Sequence, residues 1–175
     1  MSQISVNPKH RNDPYHRYKM PAVKSKITNR GNGTFTTIEN MLNISESLYH
    51  PDDILFKFIS YDLATCCDFK KKTLKGAYKN DVIQDSLDKY ISYFVLCHKC
   101  SIPETTAEIE GKKKKAICKM DCMACGTLSK LDSKDKLLNK TIQLIIKDKQ
   151  SGRKWKEHKK IYEDLNTVFS FDDFQ

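Results

Sequence analysis

The sequence predicts an α+β protein, a small α/β unit followed by a four-cysteine ribbon built on a three-stranded antiparallel sheet. Three observations predict it. Strand-like alternation broken by the turn signal Arg30-Gly31-Asn32-Gly33 occupies the first third, a single long helical period runs over 80–95, and two Cys-x-x-Cys pairs follow immediately. The expected divisions are 1–20, a flexible basic arm; 21–96, the α/β domain; 97–147, the ribbon; and 148–175, a charged and aromatic tail.

The chain has 175 residues, 39% hydrophobic, which suffices for one mid-sized or two small cores. Six glycines and five prolines exclude collagen-like and proline-rich repeats. No stretch of about 18 apolar residues occurs, and the N-terminus lacks an apolar leader segment, so neither a membrane span nor a secretory signal is expected. The expectation is a soluble, cytoplasmic protein with no membrane partner. A formal charge of +9 favours polyanionic partners such as nucleic acid.

Residues 1–20 have few apolar members and interleave bases with aromatics (His10, Arg11, Tyr15, His16, Arg17, Tyr18, Lys19), hence the expected mobile arm. The segments AVKSKITNR and TFTTIEN alternate about the glycine turn and predict a hairpin. Asn43 is placed as the cap of a short helix, ISESLYH. Pro51 with Asp52 and Asp53 opens another, with Ile54, Leu55, Phe58 and Ile59 on its apolar face. Thr65–Tyr78 reads as two short strands about Lys70–Lys72. From Asn80, the spacing of Val82, Ile83, Leu87, Tyr90, Ile91, Phe94 and Val95 is helical, and this helix is expected to pack across the sheet. After Leu137 the run TIQLIIK reads as a closing strand.

Five of the seven cysteines fall between Cys97 and Cys125. Cys97 and Cys100 form one pair, Cys122 and Cys125 another, with 21 residues between. Two such knuckles supply four soft thiolates in the tetrahedral arrangement that zinc accepts, and a closed four-thiolate set leaves no position for substrate. One structural Zn²⁺ is therefore expected. Cys118 competes as a ligand, but Gly126 follows Cys125 where a tight turn is easiest, which favours the second pair. Cys66 and Cys67, neighbours on opposite faces of a strand, are assigned to core packing. Lys112, Lys113, Lys114 and Lys115 sit at the expected ribbon tip, either as a solvated turn or as a nucleic-acid contact.

The order of DPYHRYKMP at 13–21, GNG at 31–33, the helix running into FVLC-x-x-C, PET at 103–105 and C-x-x-CG at 122–126 resembles the initiation factor 2 beta / initiation factor 5 family. Within it, the RYKMP arm before GNG is similar to the N-terminal domain of eukaryotic translation initiation factor 5, over roughly residues 13–147. The resemblance implies a GTPase-activating protein for the GTP-bound gamma subunit of initiation factor 2, working beside the initiator tRNA on the small ribosomal subunit. It implies no turnover of substrate by the chain itself. By motif position the arginine finger is Arg17, with Tyr15, Tyr18, Lys19 and Met20 anchoring the arm and Lys57 in support. A guanidinium offers several donors to charge developing on a transferring phosphoryl group. The family's lysine after GNG is replaced by Thr34 and Phe35, which bears on the strength of activation. The alternative is a ribosome- or RNA-binding module resembling the beta subunit, without activation.

In the tail, 149–160 hold six basic residues and one acid, whereas 163–175 hold four acids with Phe169, Phe171 and Phe174. Factor 5 continues into a helical domain that docks through acidic and aromatic patches. The tail carries that chemistry in miniature, either as a motif for another initiation factor or as a plain soluble end.

Overall fold

The computed structural model describes residues 2–31, 33–111 and 116–155. Lys112–Lys115 and the tail phenylalanines Phe169, Phe171 and Phe174 lie outside them.

The chain opens with β1 (Gln3–Ser5), which pairs antiparallel with β2 (Lys19–Pro21). The basic segment is thus a loop closed at its base, where sequence periodicity predicted no strand. Val6 and Met20 are buried at that base, and the Val6 amide donates to the Tyr18 carbonyl at 3.0 Å. Short strands of three residues are fixed by such burial more than by propensity, and this explains why their pattern is faint.

β3 (Ser25–Arg30) and β4 (Gly33–Ile38) form the expected hairpin, with Arg30 paired to Gly33 at its closed end. Gly33 has φ +123°, a conformation that side chains resist. β5 (Cys67–Asp68) and β6 (Thr73–Lys75) complete a sheet of order β3-β4-β6-β5. Thr36 ties its centre, with Oγ1 donating to the Gly76 carbonyl at 2.7 Å and accepting from the Tyr78 amide at 3.0 Å.

Helix α1 (Met41–Leu48) starts two residues before Asn43, so Asn43 is not its cap. Asn40 precedes the helix and is used elsewhere, accepting from the Lys24 amide at 2.9 Å and donating to the Ala22 carbonyl at 2.7 Å. α2 (Asp52–Asp62) follows Pro51, with Asp52 and Asp53 placed favourably at its positive end. α3 (Asn80–Phe94) has the expected span and packs closely along α2, and its Ile83, Leu87 and Ile91 share one core with Ile38 and Leu74 of the sheet. Aromatic rings make the contact with α2: Phe58 of α2 meets Tyr90 at 5.2 Å between ring centroids, and Tyr90 meets Phe94 at 5.0 Å. At its start α3 is tied to β3, where Asn80 accepts from the Ser25 amide at 2.9 Å.

The ribbon consists of β7 (Thr105–Glu110), β8 (Ile117–Cys122) and β9 (Leu128–Lys130), antiparallel in the order β7-β8-β9. This is the three-stranded sheet expected.

The run TIQLIIK is not a strand. It belongs to α4 (Lys136–Gln150), capped by Asp135, whose side chain accepts from the Leu137 amide at 2.7 Å. Leu138, Thr141, Ile142, Ile145 and Ile146 are buried at i, i+3, i+4, i+7 and i+8, one helical stripe. A short apolar run hides such a period when viewed without its flanks. The boundary expected at 147 falls inside this helix. α4 packs on α2 and also on β7 and β8, so it joins the α/β unit to the ribbon. Beyond it, Trp155 is buried against His50, ring centroids 4.9 Å apart, and its indole N–H donates to Asp148 at 2.7 Å.

Candidate metal centre and the loop it holds

Each knuckle uses the same local geometry. After Cys97-His98-Lys99-Cys100, Ser101 turns left-handed at φ +58° and its amide donates to the Cys97 carbonyl at 2.9 Å. After Cys122-Met123-Ala124-Cys125, Gly126 turns left-handed at φ +66° and its amide donates to the Cys122 carbonyl at 2.8 Å. Such a turn folds two thiols spaced three apart onto one side of the backbone. Glycine takes this conformation freely, so its place after Cys125 is legible in sequence; serine in the equivalent place gives no such signal.

The four Sγ atoms all lie within 4.8 Å of one another, and the Cys97–Cys125 and Cys100–Cys122 pairs are each 3.6 Å apart. Four sulfurs about 2.3 Å from a central ion are about 3.8 Å apart in a tetrahedron, so the donor set fits a metal ion. Among the described residues it is the one such group of three or more His, Cys, Asp or Glu. The Lys99 amide approaches the Cys97 sulfur at 3.4 Å, and Thr127 Oγ1 lies 3.3 Å from the Cys125 sulfur. The contacts with Thr127 hold the Cys125 thiol down at about 6, whereas burial pushes Cys122 up to about 12.

Cys118 is not part of the cluster. It points from β8 into the core, is 1% exposed, and burial pushes its thiol up to about 12. Cys67 packs at the edge of the core as expected, but Cys66 is exposed, which corrects its assignment to core packing.

Arg17 lies on the loop between β1 and β2 and is exposed, its guanidinium carbon 5.4 Å from the centre of the Tyr18 ring. The loop is braced from several sides. Asn7 accepts from the Lys9 amide at 3.0 Å and donates to the Ser101 carbonyl at 3.3 Å. Arg11 pairs with Asp88 of α3, and the Tyr18 hydroxyl donates to the Glu104 carboxylate. His16 stacks on His10 at 5.0 Å and lies 2.9 Å from Ser5 Oγ. Lys19 reaches back to the Pro14 carbonyl at 2.6 Å. Of the four expected anchors, Tyr18, Lys19 and Met20 make such contacts, whereas Tyr15 is 93% exposed. Tyr15 therefore does not anchor the loop.

Lys57 stands on a different element, α2, with its ammonium 5.1 Å from the centre of the Phe69 ring. Sequence reasoning missed Asn7, Ser101 and Glu104 as supports of the Arg17 loop. Glu104 lies within PET, which carries resemblance but no hint of a partner some 86 positions away.

A family model for a domain found in initiation factors 2B and 5 matches residues 8–128. The chain is 35% identical over 152 residues to the probable eukaryotic translation initiation factor 5 of Schizosaccharomyces pombe, covering 85% of this chain and 37% of that protein. It is 36% identical over 129 residues to eukaryotic translation initiation factor 5 of Saccharomyces cerevisiae (71% and 31%). Against the Dictyostelium discoideum factor 5 it is 34% identical over 139 residues (78% and 34%). The chain thus spans about a third of the length of the curated relatives it matches.

Proposed function

The chain belongs to the family of domains found in initiation factors 2B and 5, and from that premise we propose that it acts in translation initiation as a GTPase activator, with Arg17 as its finger. Its target is the GTP-bound gamma subunit of initiation factor 2, on a small ribosomal subunit carrying initiator tRNA, in the cytoplasm. The chain turns over no substrate itself. It supplies one guanidinium to a nucleotide pocket on another protein.

The observation that carries this reading is an exposed Arg17 on a loop pinned at both ends. An arginine on a free chain would lose the freedom of several residues on entering a pocket, at about 1–2 kcal/mol per residue for the backbone alone. Pinning through β1–β2, Asn7, Arg11 and Tyr18 removes much of that cost before the encounter. The guanidinium itself remains available to the developing charge on the phosphoryl oxygens. Arginine fingers accelerate hydrolysis by about 10³ to 10⁵ in other GTPases, roughly 4 to 7 kcal/mol of barrier. Lys57 is proposed as a weaker electrostatic support.

The metal is proposed to be one structural Zn²⁺ on Cys97, Cys100, Cys122 and Cys125. Four thiolates with tetrahedral spacing select zinc over harder ions, and a closed set keeps it out of the chemistry. Its role is to fix the two knuckles.

Single-turnover hydrolysis of GTP in the ternary complex, with and without the chain on small subunits, tests the reading. Stimulation that disappears in Arg17→Ala supports it. Salt-sensitive binding to the subunit with no change in hydrolysis would replace it by the binding-module reading.

A further inference from the structure

The loop that carries Arg17 is fastened to the metal knuckles. Asn7, 2% exposed, stands before the 3-10 turn Pro8–His10 and donates its side-chain amide to the carbonyl of Ser101, the left-handed residue of the first knuckle. Tyr18, directly after Arg17, donates its hydroxyl to the carboxylate of Glu104, which is 6% exposed. The Glu104 carbonyl in turn accepts from the amide of Met123, inside the second knuckle, at 2.8 Å. Beside it Thr105 donates to the Val95 carbonyl at the end of α3, at 2.7 Å. Glu104 therefore touches both the second knuckle, through its backbone, and the Arg17 loop, through its side chain.

We infer that Glu104 is a positioning residue that couples the folded metal knuckles to Arg17, so that metal occupancy sets the order of the loop. Both attachments of the loop to the ribbon end on the knuckles themselves, at Ser101 and at the residue held by Met123. Neither turn is a stable fold by itself, because a thiol pair without a metal offers only weak contacts to hold a left-handed serine in place. When the knuckles open, Ser101 and Glu104 lose their fixed positions. The loop then keeps β1–β2 with its packing on α1, the Arg11–Asp88 pair and its internal contacts, but loses these two ties to the ribbon. A hydrogen bond of this kind contributes about 1 kcal/mol or slightly more, so losing the one from Tyr18 shifts the local opening equilibrium about tenfold.

The catalytic consequence rests on the proposed role of Arg17; the coupling itself does not. Amide hydrogen exchange on the full chain, metal-loaded, measures the coupling directly. Tyr18→Phe and Glu104→Ala are each expected to raise exchange at Val6, Met20 and Ala22 about tenfold, leaving α2 and α3 unchanged. Glu104→Gln, which retains an oxygen to accept from Tyr18, should restore protection. The double variant Tyr18→Phe with Glu104→Ala should be no worse than either single one. Chelation of the metal, which releases Ser101 as well as Glu104, should raise loop exchange at least as much while α2 and α3 stay protected. Unchanged loop exchange after chelation, additive effects in the double variant, or uniform loosening of the whole fold would each overturn the inference.

In the hydrolysis assay, Tyr18→Phe should lower the maximal stimulated rate several-fold more than it raises the half-saturating concentration, and should have no effect in an Arg17→Ala background. If Arg17→Ala leaves hydrolysis unchanged, the finger reading fails, and the exchange data alone decide the coupling.

Discussion

The hydroxyl of Tyr18 donates to the carboxylate of Glu104, across 86 positions of sequence. One partner follows the exposed Arg17, and the other lies four residues beyond the thiol Cys100. A loop otherwise read as a free basic arm thereby shares its footing with the cysteine cluster. The relationship turns four thiols whose set leaves no open position for substrate into a support for a distant guanidinium.

The chain should bind one equivalent of zinc, measurable by elemental analysis, and Cys97→Ser or Cys125→Ser should lose it. Structural zinc sites contribute about 10–16 kcal/mol in small domains, comparable to or above the whole stability of many domains, about 5–15 kcal/mol. The ribbon is therefore expected to unfold without metal, seen as loss of exchange protection over β7–β9. A metal-free ribbon that stays protected would contradict this assignment.

Trp155 should be a measurable part of the fold. Its ring is buried on His50, its N–H bonds Asp148, and Lys149 lies 4.7 Å from its ring centre. Trp155→Ala should cost about 3 kcal/mol in urea unfolding, and Trp155→Phe about 1–2 kcal/mol, since an aromatic ring is kept but Asp148 loses a donor. Equal stability of all three chains would remove the segment after α4 from the core.

The cysteines outside the cluster should separate by reactivity. Cys66, exposed, should react with a thiol reagent in the native protein, whereas Cys118 should react only on unfolding. Burial raises the Cys118 thiol from 9.0 to about 12 and also raises the Tyr90 phenol well above its usual 10. The native state thus holds these protons where the unfolded chain releases them. Their contribution to stability is full below about pH 9 and is lost progressively as pH rises from there towards 12. Denaturant midpoints should fall through that window, and Cys118→Ala should flatten the fall.

Tyr15 and Met20 should behave oppositely. Tyr15→Ala removes a side chain that is 93% exposed and should change stability by no more than about 0.5 kcal/mol. Met20 is fully buried on β2, so Met20→Ala should cost about 3 kcal/mol. A large loss from Tyr15→Ala would restore it as an anchor of the loop.

The cysteine cluster, the glycine hairpin and α3 were legible because each rests on a local rule: ligand spacing, turn chemistry, or a long period of 3.6. What misled was shortness and distance. TIQLIIK taken alone has too few residues to show a helical stripe, and only Asp135 and Leu138 in front of it reveal it. β1 and β2 are three residues each and owe their existence to the burial of Val6 and Met20, a tertiary effect. Asn7–Ser101 and Tyr18–Glu104 join residues some 90 positions apart, and no pattern in one sequence marks such pairs. Cys118 was ambiguous by spacing, and β8 turns it to the same face as the ligand Cys122; only the three-dimensional grouping of the other four sulfurs, within 4.8 Å of one another, separates it.

The central claim is that the exposed guanidinium of Arg17 promotes hydrolysis on a partner. Single-turnover GTP hydrolysis in the ternary complex on small subunits, saturated with the metal-loaded chain, tests it most directly. Arg17→Ala should reduce the stimulated rate by about 10³-fold or more while leaving subunit binding and thermal stability unchanged. Stimulation by Arg17→Ala equal to that of the unaltered chain would contradict the account.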